Sequence, residues 1–179
     1  MIQLRDKVTG TRQLLSEARR ITQLCRERGV YFIVNDRLDL ALAADADGVH
    51  LGQADLPPKA ARELLGAGKV LGVSTHSLEQ ALEAAEQGAD YLGIGPIFAT
   101  GTKATGYEPR SCDIIRQVRA RIDLPLVAIG GITLNNVGEV IAAGAAGVAV
   151  ISAIVGVDDI TVATAAFVTA IDQVAHEHR

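Results

Sequence analysis

The sequence predicts an α/β protein with a TIM-type (β/α)8 barrel fold, and three observations support this prediction. First, seven short runs rich in Val, Ile and Leu alternate with segments of helical periodicity along the 179 residues, which is typical of βαβ units. Second, the runs are apolar almost throughout, as strands are when both faces of a parallel sheet are buried. Third, the unit repeats along the whole chain, which favours a barrel over the alternative, an open doubly wound sheet.

The elements are predicted in a regular order. The seven strand candidates are IQLRD (2–6), YFIVND (31–36), GVHLG (48–52), VLGVST (70–75), YLGIGPIF (91–98), PLVAIGGI (125–132) and GVAVISAI (147–154). Between the first two strands, Leu14, Ala18, Ile21 and Cys25 recur at spacings of three or four residues, so they share one face of a helix that packs on the sheet. Gly29 lies where a helix C-terminal glycine is expected.

The best-marked helix follows the fourth strand. Ser77 and Gln80 have the spacing of a capping box, which predicts that a helix begins there and reaches Gln87. Gly88 then supplies the left-handed stop before the strand at Tyr91.

The number of strands bears on the completeness of the barrel. Seven strands are one fewer than closure requires, and barrels of this class usually have about 200 residues or more. We therefore predict that residues 1–179 form a single barrel domain that lacks its first β/α unit. Strands at the two open edges would expose unpaired backbone groups, which favours strand exchange between chains or a homo-oligomer.

Composition excludes several classes of function. Hydrophobic residues make up 49% of the chain and charged residues 21%, with a net charge of −4, which gives no general attraction to nucleic acid or to an anionic membrane. We expect small-molecule partners.

No signal peptide opens the chain and no apolar run approaches about 18 residues, so a cytoplasmic location is predicted. Cys25 and Cys112 show no metal or disulfide spacing and are predicted to be reduced thiols.

Acidic and polar residues end two neighbouring strands. Asn35 and Asp36 follow one strand, and Asp55 closely follows the next. If these strands are parallel neighbours, the two carboxylates lie side by side and are suited to hold one Mg²⁺, with further positions for water or phosphate oxygens. The alternative is that Asp36 is a turn or cap residue and that Asp55 caps the following helix.

A second candidate site lies near the C-terminal strands. The sequence Ala128-Ile129-Gly130-Gly131-Ile132-Thr133 ends a strand on paired glycines and opens a helix, and Ile151 and Ser152 follow the end of the next strand. Glycine lets backbone N–H groups approach an anion closely, and loops after the last two strands of TIM barrels often bind phosphate. Gly131 and Ser152 are therefore candidate phosphate-binding residues. The alternative is a tight left-handed turn.

The longest predicted loop, from Phe98 to Arg110, is rich in hydroxyls and glycine. Thr100, Thr102 and Lys103 are suited to a cover that closes over phosphate oxygens, and Lys103 is suited to neutralise developing negative charge. A solvated loop lysine is the alternative. Ser74, at the end of VLGVST, is a candidate hydrogen-bond donor to the same substrate or a cap for the next element.

The first strand carries an amide and two cations on alternate positions. Gln3, Arg5 and Lys7 therefore share one face of an extended segment, which is suited to grip a diphosphate. A charged edge strand that discourages aggregation is the alternative.

The order of these motifs resembles that of the thiamine phosphate synthase family. The resemblance covers nearly the whole chain and is carried by QLRDK, VNDRLDLAL, DGVHLGQAD, GVSTHS, GADYLGIGPIFATGTK, AIGGIT and VISAI. It implies a transferase of thiamine biosynthesis, in which a hydroxymethylpyrimidine diphosphate loses pyrophosphate and a thiazole phosphate captures the pyrimidine methylene, with Mg²⁺ as cofactor.

The resemblance also implies roles for individual residues. Asp36 and Asp55 match metal ligands. The residues that match those holding the pyrimidine diphosphate are Gln3, Arg5, Lys7, Asn35, Ser74 and Lys103, of which Arg5, Lys7 and Lys103 are the predicted catalytic cations. Those that match the thiazole phosphate pocket are Thr100, Thr102, Gly131, Ile151 and Ser152. No protein nucleophile is required, so the histidines need no catalytic role, and His50 is interpreted as a packed strand residue.

Two alternative functions are retained. A thiazole tautomerase resembles the synthase, but such relatives tend to have histidine after the glycine of the equivalent strand and to lack the acidic residue of GQAD, whereas this chain has Gly95-Pro96 and Asp55. The other alternative is a noncatalytic protein that binds a thiamine precursor.

Overall fold

The computed structural model describes residues 1–101 and 106–177, and within them it contains seven β-strands and eight α-helices. The strands are β1 (Ile2–Leu4), β2 (Phe32–Asn35), β3 (Gly48–Leu51), β4 (Val70–Thr75), β5 (Tyr91–Ile94), β6 (Leu126–Ile129) and β7 (Gly147–Ala149). The helices are α1 (Thr11–Glu27), α2 (Leu38–Ala43), α3 (Pro58–Leu65), α4 (Leu78–Glu86), α5 (Asp113–Arg119), α6 (Val137–Ala142), α7 (Ser152–Val155) and α8 (Ile160–Glu177).

The order of the strands is that of the chain, from β1 to β7. A doubly wound sheet reverses its strand order at a switch point, whereas a barrel does not, so the topology agrees with the TIM-type prediction and not with the alternative. The fold comprises two compact units. The first contains residues 1–74 and 84–90, and the second contains residues 75–83 and the chain from Tyr91 onward.

In the first unit, β1 to β4 are parallel and in regular register. Ile33 pairs with Gly48, and Gly48 pairs with Val70. Phe32, Ile33, Val49 and Leu71 are all fully buried, because strands covered on both faces carry mostly apolar side chains. The near-continuous apolar runs of the sequence are therefore the core of this unit.

Helix α1 confirms the predicted helix but corrects one position of its buried face. Leu14, Ala18 and Cys25 are buried as predicted, whereas the fourth buried residue is Thr22 and not Ile21. The hydroxyl of Thr22 donates to the carbonyl of Ala18 at 3.0 Å and lies 3.1 Å from that of Ala44. Because these carbonyls satisfy the hydroxyl, its burial carries little penalty.

Several strands are shorter than predicted, and local chemistry explains why. Strand β1 ends at Leu4 because the Asp6 carboxylate accepts hydrogen bonds from the backbone N–H groups of Val8 and Thr9, at 2.7 and 2.9 Å, and so forms a turn. Strand β5 ends at Ile94, before Pro96, which has no N–H to donate to a ladder.

The side chain of Arg62, on α3, holds together three backbone segments of the first unit. Its guanidinium donates to the carbonyls of Gly66 at 2.9 Å, Lys69 at 2.8 Å and Gly88 at 3.0 Å. It also forms an ion pair with Asp90 at 2.6 Å. The planar guanidinium has five N–H donors and can bond several acceptors at once. This one arginine therefore satisfies carbonyls at the C-terminal ends of both α3 and α4.

Replacing Arg62 with methionine is expected to lower the free energy of unfolding by about 2–3 kcal/mol, because the carbonyls lose a charged donor while the aliphatic stem is kept. The measurement is urea denaturation followed by circular dichroism. Arg121→Met, at an exposed position, is the control and should change stability by less than about 0.5 kcal/mol. Equal denaturation midpoints for the two variants would contradict the prediction.

In the second unit, β5, β6 and β7 are parallel, with Leu92 paired with Leu126 and Val127 paired with Gly147. The start of α4 also belongs to this unit and confirms the predicted cap at Ser77, whereas the return bond from Gln80 reaches one residue before the cap. The Ser77 hydroxyl accepts from the N–H of Gln80 at 3.3 Å, and the Gln80 side chain reaches back to the N–H of His76 at 2.8 Å.

Two further properties of the described chain bear on function. In residues 1–101 and 106–177, no helix has both the length and the apolar character needed to cross a membrane. Cys25 and Cys112 are free and buried, and burial is the main cause that raises the pKa of each thiol. Both cysteines are free thiols, as predicted, and their raised pKa makes them poor nucleophiles.

Candidate functional site

Asp36 and Asp55 lie just beyond the C-terminal ends of the adjacent parallel strands β2 and β3. Asp36 adopts a left-handed backbone conformation, with φ of 63°, and its N–H donates to the carbonyl of His50 at 2.8 Å. Aspartate is one of the few residues other than glycine that tolerate this conformation. The turn directs the chain away from the sheet immediately after the strand.

Asp55 closes a turn that begins at Gly52. The Asp55 carboxylate accepts from the N–H of Gly52 at 2.7 Å, and its own N–H donates to the Gly52 carbonyl at 3.2 Å. Burial raises the pKa of the Asp55 carboxyl. The Gly52 hydrogen bond and Lys7 oppose the rise, whereas a hydrogen bond with the Asp36 side chain and the negative charge of Asp36 reinforce it. The two carboxylates are therefore close enough to interact directly.

Neither aspartate acts as the helix cap that the alternative interpretation required. Arg37 occupies the N-cap position of α2 and Pro57 that of α3, and neither helix has a side-chain cap. Asp36 and Asp55 do form turns, as the alternative interpretation allowed for Asp36, and their side chains lie close enough to share a hydrogen bond. Their role as metal ligands stays a prediction.

The two carboxylates fit a divalent cation. Mg²⁺ is usually bound in proteins through one or two carboxylates, with water and substrate phosphates completing the shell. A cation between Asp36 and Asp55 would relieve the repulsion that contributes to the raised pKa of Asp55. Among the described residues, no group of three or more His, Cys, Asp or Glu side chains is placed to hold a metal.

The predicted cationic face lies in the same unit. Gln3, Arg5 and Lys7 are all exposed and alternate with partly buried neighbours, although only Gln3 lies within β1. The ammonium Nζ of Lys7 is 3.5 Å from Oδ2 of Asp36. A lysine so close to a candidate metal ligand is placed to meet an anion that the metal also binds.

Ser74, on β4, is held through both of its polar groups. Its hydroxyl oxygen lies 2.8 Å from Nε2 of His50, and its carbonyl accepts from the side-chain amide of Gln53 at 2.6 Å. The cap of α4 is Ser77, so the alternative role of Ser74 as a cap is wrong. Asn35, the last residue of β2, is partly buried and is in register with His50.

Sequence reasoning missed the contacts of His50 and Gln53. His50 is buried, as expected for a packed strand residue, with 8% of its surface exposed, but its ring also contacts a predicted site residue. One signal was available: GVHLGQAD places a histidine and an amide just before the candidate ligand Asp55.

In the second unit, the paired glycines after β6 have both a conformational and a steric cause. Gly130 and Gly131 have φ of 98° and 64°. A Cβ on Gly131 would lie 2.5 Å from the carbonyl oxygen of Ala99 and 2.7 Å from Cβ of Phe98. The alternative of a tight left-handed turn therefore holds at Gly131, and that turn packs against the start of the loop carrying Thr100.

The helices that follow the glycines and β7 are short. The segment after Gly131 turns through Thr133, whose N–H donates to the Asn136 side chain at 2.8 Å, so α6 begins only at Val137 and not directly after the glycines. Ser152 is the first residue of α7, a helix of four residues, and Ile151 precedes it. Thr100 is partly buried, and Ile151 and Ser152 are exposed. The predicted site residues Thr102 and Lys103 lie outside the described residues.

The loop after β5 is tied to the start of α4 by an aromatic contact. The ring of Tyr107 stacks on that of His76, with centroids 3.7 Å apart and an angle of 19° between the planes. Nδ1 of His76 contacts the carbonyl of Gly95. His76 and Tyr107 are too far apart in the chain for a local sequence pattern to predict this contact.

Known proteins similar to this chain belong to one family. A sequence profile of the family described as thiamine monophosphate synthase matches residues 1–154. A thiamine-phosphate synthase of Shouchella clausii is 50% identical over 173 residues, which cover 97% of this chain and 83% of that protein. One from Chloroflexus aurantiacus is 52% identical over 163 residues, which cover 91% of this chain and 75% of that protein.

Solved structures give the same result for the fold. A thiamine phosphate pyrophosphorylase from Pyrococcus furiosus superposes with a TM-score of 0.89 and 40% identity, over 96% of this chain and 82% of that one. A 3-hexulose-6-phosphate synthase superposes with a TM-score of 0.69, but its identity is only 20%, so it supports the fold alone. The predicted TIM-type class is confirmed.

Proposed function

Because this chain belongs to the thiamine monophosphate synthase family, we propose that it condenses 4-amino-2-methyl-5-hydroxymethylpyrimidine diphosphate with thiazole phosphate to give thiamine phosphate and pyrophosphate. The observation that carries the proposal beyond family membership is the meeting of Asp36 and Asp55 at one strand end, with Lys7 3.5 Å from Asp36. Two carboxylates with a neighbouring ammonium suit a metal-bound diphosphate better than a neutral ligand.

The first unit would bind the pyrimidine diphosphate. Asp36 and Asp55 would hold Mg²⁺, which when bound neutralises charge on the diphosphate and makes it a better leaving group. Arg5 and Lys7, both exposed, would meet the remaining phosphate oxygens as charge-assisted donors. Gln3, Asn35 and Ser74 would orient the substrate through uncharged hydrogen bonds.

The residues of this unit suit a reaction in which the diphosphate leaves first. The bond between the pyrimidine methylene and the diphosphate oxygen would break, with its electron pair leaving on pyrophosphate. The electron-rich aminopyrimidine would stabilise the methylene cation, and the lone pair of the thiazole nitrogen would then form the new C–N bond. Arg5 and Lys7 would stabilise the charge that develops on the leaving group. Because the thiazole nitrogen itself captures the cation, no protein nucleophile is needed.

The second unit would bind the phosphate of the thiazole substrate. Gly131, Ile151, Ser152 and Thr100 are the described candidates, and Thr102 is proposed with them from the family motif. Support comes from Gly131, because its left-handed conformation turns the backbone sharply after β6 at the position where barrels often bind phosphate. Lys103 would neutralise charge on the diphosphate from its loop.

The proposal is tested by incubating the purified chain with both substrates and measuring pyrophosphate and thiamine phosphate. We expect both products in equal amounts with Mg²⁺ in excess of the substrates, and neither product with excess EDTA. Restoration by added Mg²⁺ is the control for damage by the chelator. A folded chain that binds the substrates without turnover would contradict the proposal and favour the noncatalytic alternative.

A further inference from the structure

His50 lies at the centre of the polar residues in the first unit. Its backbone carbonyl accepts from the N–H of Asp36 at 2.8 Å, and its ring Nε2 lies 2.8 Å from the Ser74 hydroxyl oxygen. One residue thus touches the turn that carries a candidate metal ligand and the side chain of a candidate substrate ligand. A buried position in the middle of a parallel sheet would normally hold an apolar side chain. An imidazole at this position therefore indicates that its hydrogen bonds have a function.

Ser74 is fixed on both sides by residues that precede Asp55. His50 meets its hydroxyl, and Gln53 donates to its carbonyl at 2.6 Å. The backbone of Ser74 is also part of β4, which pairs with β3. These contacts hold the backbone and the hydroxyl oxygen in place, so the remaining freedom of the side chain is the direction in which the hydroxyl proton points.

That direction depends on which partner donates in the contact between Ser74 and His50. A neutral imidazole carries its proton on Nδ1 or on Nε2. With the proton on Nδ1, Nε2 is an acceptor and the serine hydroxyl must donate to it. With the proton on Nε2, the ring donates to the serine oxygen, and the single hydroxyl proton is released for another acceptor.

We propose that His50 is a positioning residue whose Nε2–H donates to the Ser74 hydroxyl oxygen and thereby directs the Ser74 proton to an oxygen of the substrate's diphosphate. The inference rests on the proposed function, since it requires that Ser74 meets the diphosphate. Phosphate oxygens accept hydrogen bonds and do not donate them, so a serine that binds them must donate its only proton. Its oxygen is then left to accept from His50.

Kinetics of paired variants test this role. His50→Leu removes the donor, so the KM for the pyrimidine diphosphate is expected to rise about tenfold, the loss of one hydrogen bond to a charged group. The KM for thiazole phosphate should stay unchanged. His50→Gln should recover most of the affinity, because its amide nitrogen can occupy the place of Nε2 and donate. His176→Gln, at an exposed position of α8, is the matched control.

A double-mutant cycle separates positioning from a general structural effect. If His50 acts through Ser74, then His50→Leu should raise the KM little further in a Ser74→Ala background. Additive effects of the two changes would overturn the proposal. So would a His50→Gln variant that is as impaired as His50→Leu while its circular dichroism and melting temperature match the wild type.

The tautomer is measured independently of turnover. In ¹⁵N-labelled protein with Mg²⁺ and inorganic pyrophosphate, the His50 ring, assigned by its absence in His50→Gln, should show a protonated Nε2. A ring protonated on Nδ1 alone would overturn the proposal. If the wild type makes no thiamine phosphate, the proposed function fails. The inference about His50 is then decided by calorimetric titration of the same variants with Mg²⁺ and pyrophosphate. Weaker pyrophosphate binding by His50→Leu than by the wild type supports the inference, and equal binding overturns it.

Discussion

Asp55→Asn is expected to reduce the Mg²⁺-dependent formation of thiamine phosphate by about 100-fold or more, because it removes one of two carboxylates placed to hold the metal. The variant keeps an oxygen that can accept from the Gly52 N–H, a bond of 2.7 Å in the wild type. The local turn should therefore persist. The measurement is steady-state turnover across a range of Mg²⁺ concentrations, with Asp158→Asn, at an exposed position, as the control.

The same substitution should not destabilise the metal-free protein at neutral pH. The pKa of Asp55 is raised in the folded chain, first by burial and further by Asp36, so the folded state holds this proton more tightly than the unfolded state does. Its favourable contribution is complete below the ordinary value of 3.8 and is lost as pH rises through the raised pKa. Once ionised, Asp55 is thus a cost to the metal-free fold that asparagine removes.

Thermal unfolding with and without metal distinguishes the two effects. Without Mg²⁺ at pH 7, we expect Asp55→Asn to melt at or above the wild-type temperature. Any excess of the variant's melting temperature over that of the wild type should vanish in acid, where Asp55 is protonated. With Mg²⁺, the wild type should gain stability by mass action and the variant should gain much less. Equal stabilisation of both proteins by Mg²⁺, together with retained turnover, would refute the role of Asp55 as a metal ligand.

The meeting of Asp36 and Asp55 was predictable because it follows from two local facts. Each aspartate lies just beyond a strongly apolar run, and the carboxyl ends of adjacent parallel strands lie at the same edge of a sheet. The start of α4 was predictable for a similar reason. Ser77 and Gln80 are one helical turn apart in the sequence, and both have side chains that accept hydrogen bonds from backbone N–H groups.

Other features depend on contacts that the sequence does not encode locally. His50 meets Ser74 across 24 positions of the chain, which requires the register of β3 on β4 as well as the identity of both residues. The buried face of α1 includes Thr22 only because the Ala18 and Ala44 carbonyls lie within reach of its hydroxyl. Periodicity ranks Ile21 above threonine because it records hydrophobicity and not such partners.

Gly131→Ala is expected to lower both stability and the affinity for thiazole phosphate. The residue has a φ of 64°, which alanine adopts only with strain, and an added Cβ would lie 2.5 Å from the Ala99 carbonyl oxygen. The two costs together should lower the free energy of unfolding by about 2–4 kcal/mol. The start of the loop that carries Thr100 must move to relieve the contact, so we expect the KM for thiazole phosphate to rise about tenfold or more.

A second glycine provides the matched control. Gly138 lies within α6, and a Cβ there would meet only Cγ2 of Val174, at an ordinary 3.5 Å. Gly138→Ala should therefore raise stability by about 0.5–1 kcal/mol and leave both KM values unchanged. Both variants are assayed well below their melting temperatures. If Gly131→Ala is destabilised but keeps the wild-type KM for thiazole phosphate, the glycine serves the turn alone, because a phosphate pocket built on that turn could not retain its affinity once the turn had shifted.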